Sequence, residues 1–211
     1  MPKRRIHRAC MLVLLAAIGM TSACGAARPM KYYVLDSSPA PVNSPSAVYP
    51  VTLLVGHFTA SHLYRDVRMV YGQGNLELGT YEYERWAQPP ADMIEDILIS
   101  SLRSTGQYRS VSGLSSNVRG DYIVRGHLYS LYEVDKPVYA ARFSLQIELF
   151  DPKSRTTVWS KSYTQDQPIQ GKTVQDIVEA LDKNVNAGIQ QLTTELGQYF
   201  ASLPPQPASG N

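Results

Sequence analysis

Cys24 is the residue whose setting prescribes a chemistry most directly. Lys3, Arg4, Arg5 and Arg8 make a basic start, and Met11 to Gly19 is an apolar core long enough to enter a translocon but too short to span a bilayer. Thr21, Ser22 and Ala23 put small side chains against the cysteine, as in the lipobox of bacterial lipoproteins, although Thr21 stands where Leu is usual. The pattern predicts export, cleavage before Cys24 and acylation of its sulfur and new amino group. Two or three acyl chains bury many methylenes at about 0.8 kcal/mol each, which gives lasting attachment to a membrane. The alternative is an ordinary signal peptide in which Cys24 is an incidental small residue.

No second chemistry has a comparable pattern. His57, His62 and His127 lack a carboxylate or second histidine at a helical ligand spacing such as H-E-x-x-H, so they predict no metal site. The serines between Ser110 and Ser116 lack the G-x-S-x-G turn that exposes a nucleophile and read as a loop. Gly72-Gln73-Gly74 lacks the third glycine of a dinucleotide cradle and suits a hairpin turn. Glu82 and Glu84 share a strand face, but no apolar pocket is evident to raise either pKa, so a solvated strand edge is expected rather than a glycosidase pair. No G-x-x-x-x-G-K-[ST] loop is present, so the chain is not expected to be an ATPase. The expectation is a non-enzymatic protein without cofactor or metal. Fourteen tyrosines against four phenylalanines leave two readings open. They line a wet, adhesive interface or acyl-chain groove, or they fill half-buried strands.

Charge excludes another class. The chain carries 20 Lys and Arg against 18 Asp and Glu, and four of the basic residues lie in 1–23, so processing leaves 16 against 18 and a net charge of −2. No basic patch argues for nucleic acid. Cys10 leaves with the leader, which excludes an intrachain disulfide and a cysteine-rich metal site. No later stretch reaches the roughly 18 apolar residues of a membrane helix. Gly25 follows the cysteine where Asp would mark retention in the inner membrane of enteric bacteria. The expected location is therefore the outer membrane, lipid-anchored, on its periplasmic face.

The elements that must carry these residues read as follows. Lys31 to Leu35 is a short strand, and Ser37 to Pro50, with four prolines, a tether. Val51 to Val55 is a buried strand, and Val67 to Tyr71 with Leu76 to Tyr83 a hairpin turned by Gly72 to Asn75. Pro89 and Pro90 open a helix from about Ala91 to Ser104, which Gly106 ends. A meander follows over Asp121–Val134, Val138–Phe150 and Thr156–Tyr163. In its middle strand Ala141, Phe143, Leu145, Ile147 and Leu149 alternate with polar residues. A helix over Val174–Phe200, capped by Thr173, carries the apolar stripe Val174, Ile177, Val178, Leu181, Val185, Ile189, Leu192, Leu196 and Phe200. The fold class expected is α+β, a two-layer sandwich of an antiparallel or mixed sheet with both helices on one face. Its parts are a signal peptide at 1–23, a tether with the first strand at 24–50, a domain at 51–201 that also takes in strand 31–35, and a disordered tail at 202–211.

Four segments carry a family resemblance: Lys31 to Asp36 (KYYVLD), Arg65 to Tyr71 (RDVRMVY), Tyr83 to Pro90 (YERWAQPP) and Asp121 to Leu128 (DYIVRGHL). Together they resemble the ABC-type transport auxiliary lipoprotein family, whose members include the outer-membrane lipoprotein of paraquat-inducible MCE systems. The most specific part is Arg85-Trp86-Ala87-x-Pro89-Pro90, in which Trp86 can wedge under the helix that the prolines begin, while Arg85 pairs nearby or serves a partner. The resemblance implies an accessory part of a system that moves lipids between the two membranes. As a docking or tethering subunit it would work with an MCE-domain protein and an ABC transporter permease, with homo-oligomers open to it. The other reading is a carrier that holds a lipid or lipopolysaccharide acyl chain in a groove of its own.

Overall fold

The computed structural model describes residues 28–36, 49–72 and 76–204. Cys24, most of the expected tether, the tip of the first hairpin and the last seven residues lie outside them. The body begins at Lys31.

The body is a nine-stranded mixed sheet with two helices. Its axis is the long strand β7 (Tyr122–Val134). Along one edge β7 pairs antiparallel with β8 (Ala140–Asp151), which pairs with β9 (Thr156–Pro168). Along the other edge three short strands follow one another, all parallel to it: β2 (Tyr49–Val55), β3 (Thr59–Ala60) and β4 (Arg68–Gly72). Outside β2 lies β6 (Tyr108–Gly113), and outside β4 lie β5 (Leu78–Trp86) and then β1 (Lys31–Tyr33).

Alternation in β8 sets the layers. Ala141, Phe143, Leu145, Ile147 and Leu149 are buried, while Arg142, Ser144, Gln146 and Glu148 keep partial access to solvent. On this polar face Arg142 pairs with Asp166, Ser144 with Thr164, and Gln146 with Tyr129 and Ser160. Helix α2 (Val174–Ser202) packs on β8 and β9, and helix α1 (Pro90–Ser104) packs on β6, β7 and α2. A capping box starts α2: the Thr173 hydroxyl accepts the Asp176 N–H at 3.2 Å, and the Asp176 carboxylate accepts the Thr173 N–H at 2.8 Å. Asn184 stands inside the apolar stripe of α2, 2% exposed. Its amide donates to the carbonyls of Ala141 and Gln165, both at 2.9 Å, and its oxygen accepts from the Tyr163 hydroxyl at 2.9 Å.

Sequence expectations change at β6 and at the start of β2. Ser110 to Gly113 are in β6, not in a loop, because backbone pairing with β2 and a bond from Arg103 Nε to the Val111 carbonyl at 2.9 Å supply what the weakly apolar run does not. Tyr49 and Pro50 begin β2 instead of ending a tether. The Tyr49 ring lies 5.6 Å from Phe200 and its hydroxyl donates to the Gly197 carbonyl at 3.2 Å, so contacts almost 150 residues away fix it.

Candidate functional site

The segment Arg85–Pro90 joins sheet to helix and governs how both meet. β1 runs parallel to the end of β5, with Lys31 opposite Glu84, Tyr32 opposite Arg85 and Tyr33 opposite Trp86. Trp86 is 1% exposed, and its N–H donates to the Val67 carbonyl at 2.7 Å. The Ala87 N–H donates to the Tyr33 carbonyl at 2.7 Å, which ties β1 to the turn. Pro89 then caps α1, its carbonyl accepting the N–H groups of Asp92 and Met93 at 3.0 and 3.2 Å. Pro90 fills the first helical position, where a missing N–H costs nothing. The Arg85 guanidinium folds back along its own strand: Nη1 donates to the Tyr81 and Glu84 carbonyls at 2.6 and 2.9 Å, and Nη2 to the Glu82 carbonyl at 2.9 Å. Three charge-assisted bonds to backbone make this side chain a clip for the strand end.

What this segment holds in place is a groove. Past β1, Val34 to Asp36 cross between α1 and α2 and close a cavity of about 540 Å³. Leu35, Met93, Ile97 and Val178 give it apolar walls, and Gln88, Asp36, Asp96, Glu179 and Asp182 supply its polar groups. Four of those five are carboxylates, and among the described residues no cationic side chain lines the cavity. Asp182 Oδ1 accepts the Asp36 N–H at 2.7 Å, which ties the crossing segment to α2. Burial pushes the Asp182 carboxyl above the usual carboxylate range, the neighbouring Asp36 charge adds to this, and the bond from the Asp36 N–H opposes it.

This arrangement makes stability depend on pH with a definite sign. With its native pKa raised, Asp182 binds more protons folded than unfolded, so its contribution is complete below the ordinary carboxylate pKa and is lost as pH rises through the raised value. Asp182→Asn keeps an acceptor for Asp36 and removes the buried charge. Urea unfolding of this variant at several pH values is expected to show a gain over the parent that grows across that window; a loss at neutral pH would contradict the assignment.

On its other side, α1 presents Glu95, which accepts the Phe58 N–H at 3.0 Å with His57 Nδ1 at 3.6 Å. Burial raises its pKa as well. Glu84 is also buried, against the expectation of a solvated edge, because the two-residue period of β5 puts it on the face of Trp86; Glu82 is exposed. His127 Nδ1 lies 2.7 Å from the Thr59 hydroxyl, which also bonds the Gly126 carbonyl at 3.2 Å. Among the described residues no group of three or more His, Cys, Asp or Glu is placed to hold a metal ion, and no helix is long and apolar enough to cross a membrane.

Most of the tyrosines that sequence reasoning left open pack inward. Tyr64, Tyr108 and Tyr163 are buried, and Tyr49, Tyr108, Tyr122 and Tyr199 surround Phe200 with ring centroids 5.5 to 5.6 Å from it. The groove residues Gln88, Asp96, Glu179 and Asp182 were not singled out from sequence. The one signal available was that the flanks of both apolar helix stripes are acidic at this end.

Residues 33–196 match the model of a family described as the ABC-type transport auxiliary lipoprotein component. No curated protein matches the chain at a significant level. Among solved structures, a Xanthomonas campestris protein assigned to the family model DUF330 superposes with a TM-score of 0.73 at 20% identity, over 82% of this chain and 99% of that one. An uncharacterized protein gives 0.62 at 12% identity over 80% and 99%. A hypothetical protein of Chlamydia trachomatis gives 0.52 at 7% over 73% and 99%. At these identities the likeness is one of fold.

Proposed function

Since the chain belongs to the ABC-type transport auxiliary lipoprotein family, we propose that it is the docking subunit of an ABC/MCE-type system that moves lipids between the inner and outer membranes. In this reading Cys24 carries the acyl anchor in the outer membrane, the body hangs on the periplasmic side, and the groove between α1 and α2 receives a segment of the MCE-domain protein or the permease. The subunit acts by position and contact and turns over no substrate. The observation that carries the reading is the groove itself: apolar walls, a carboxylate rim with no cation among the described residues, and a crossing segment pinned by the Arg85–Pro90 element. Such a surface is complementary to an amphipathic segment with basic flanks.

The same rim argues against the carrier reading. Four carboxylates around the mouth repel the phosphates of lipopolysaccharide and of anionic lipids, whereas a lipid carrier gains from cations there. Affinity purification of the full chain from crosslinked envelopes tests the proposal. An MCE-domain protein and an ABC permease are expected to come with the parent chain. They are expected to be lost with Cys24→Ser, which should move to the soluble periplasmic fraction. Recovery of neither partner with the parent chain, or membrane attachment unchanged by Cys24→Ser, would contradict it.

A further inference from the structure

A second cavity lies at the opposite end of β4 from the Arg85 clip, where β4, β5 and β7 run side by side. Register places Tyr71 opposite Gly79 on one neighbour and opposite Glu133 on the other, and Tyr81 follows Gly79 on the same face. The absence of a side chain at Gly79 is what seats the first ring: a Cβ there would lie 2.5 Å from Tyr71 Cζ. Tyr71 and Tyr81 meet edge to face, with centroids 5.1 Å apart and planes at 68°. The Tyr81 hydroxyl donates to Glu133, a residue 9% exposed, and Tyr139 lies close enough to feel that charge. Burial and the Glu133 charge push Tyr81 far up and Tyr139 up to about 12, so both hydroxyls stay protonated at neutral pH.

Between these groups is a cavity of about 260 Å³ lined by Tyr71, Gly72, Tyr81, Glu133 and Asp135. Among the described residues its lining holds two carboxylates, two aromatic rings and no cation. A buried carboxylate with lone pairs beyond the one Tyr81 uses is costly unless a positive group approaches, and aromatic rings beside it favour a soft organic cation over a hydrated metal ion. The volume is below the roughly 300 Å³ of a pocket for a drug-sized ligand, so it admits a head and not a body. From this we propose that the cavity at the junction of β4, β5 and β7 binds a compact organic ammonium group, primary or quaternary. Such a group is offered by a free amine solute or by an ethanolamine or choline lipid headgroup.

Titration of the full chain in a non-ionic detergent, followed by isothermal calorimetry, tests this with tetramethylammonium chloride and ethanolamine hydrochloride against sodium chloride at equal ionic strength. Saturable binding of the organic cations is expected where sodium gives none. Tyr71→Leu removes one ring and leaves the Tyr81–Glu133 bond intact; it is expected to weaken tetramethylammonium binding about tenfold, in line with the loss of one partly desolvated cation–π contact. Gly79→Ala, which changes no polar group but displaces the Tyr71 ring, is expected to weaken it similarly, with thermal melts confirming that both variants fold. Glycerophosphoethanolamine and glycerophosphocholine separate the sources. Binding as tight as that of the free cations assigns a lipid headgroup, and binding of the free cations alone assigns a small amine. Absence of saturable binding, equal binding of sodium, or undiminished binding by a folded Tyr71→Leu variant would overturn the proposal.

Discussion

Asn184→Leu is expected to lower the stability of the chain by about 3 kcal/mol, although leucine continues the apolar stripe of α2 on both sides of it. The amide is 2% exposed and reaches three partners at 2.9 Å: the carbonyls of Ala141 on β8 and Gln165 on β9, and the Tyr163 hydroxyl. Leucine leaves all three without this partner, at about 1–3 kcal/mol for each buried group that finds no other, against a gain of about 1–2 kcal/mol for the apolar side chain. The penalty wins because the partners are held in two paired strands, β8 and β9, and cannot all relax together. Tyr163→Phe, which leaves only the amide oxygen without its donor, should cost about 1 kcal/mol, and the double variant should cost less than the two single ones added together. Urea midpoints measure all three. A change below about 1 kcal/mol for Asn184→Leu would mean that the helix is held by apolar contacts alone.

The same residue marks the limit of what the sequence discloses. The stripe from Val174 to Phe200 and the alternation of Ala141 to Leu149 are local periodicities, and the structure has them as expected. Asn184 breaks its stripe, and nothing nearby in the chain reveals that two carbonyls and a hydroxyl from other strands await it. The parallel pairing of β2, β3 and β4 with one edge of β7 is hidden in the same way, because no local pattern fixes which distant strands become neighbours. β6 was masked by its serines, and only its pairing with β2 makes it a strand. Trp86, Pro89 and Pro90 were legible as a strand end and helix start because proline acts on its immediate neighbours. The groove they support was not legible, since its carboxylates come from the segment after β1, from α1 and from α2, with Asp36 lying 60 to nearly 150 residues from the others.

Charge reversal at the groove carries the largest functional effect expected of any surface change. Asp96 and Glu179 are exposed on α1 and α2, and both face the cavity between Leu35 and Val178. Surface substitutions of this kind usually move stability by no more than about 0.5 kcal/mol, so Asp96→Lys with Glu179→Lys should leave the chain folded and anchored. It nevertheless turns an all-acidic rim into a mixed one, which opposes a basic segment by Coulomb repulsion at close range and weakens association in a salt-dependent way. Substitutions of the same type on the open face of the sheet, such as Ser144→Lys, should have no such effect.

The decisive measurement is therefore the yield of MCE-domain protein and ABC permease recovered with the Asp96→Lys/Glu179→Lys chain from crosslinked envelopes, relative to the parent and to Ser144→Lys at equal amounts of anchored bait. Docking through the groove predicts at least about a tenfold fall for the double variant, corresponding to the loss of one or two close charge pairs, and no fall for Ser144→Lys. Equal recovery with all three chains would show that the groove is not where the subunit meets its partners.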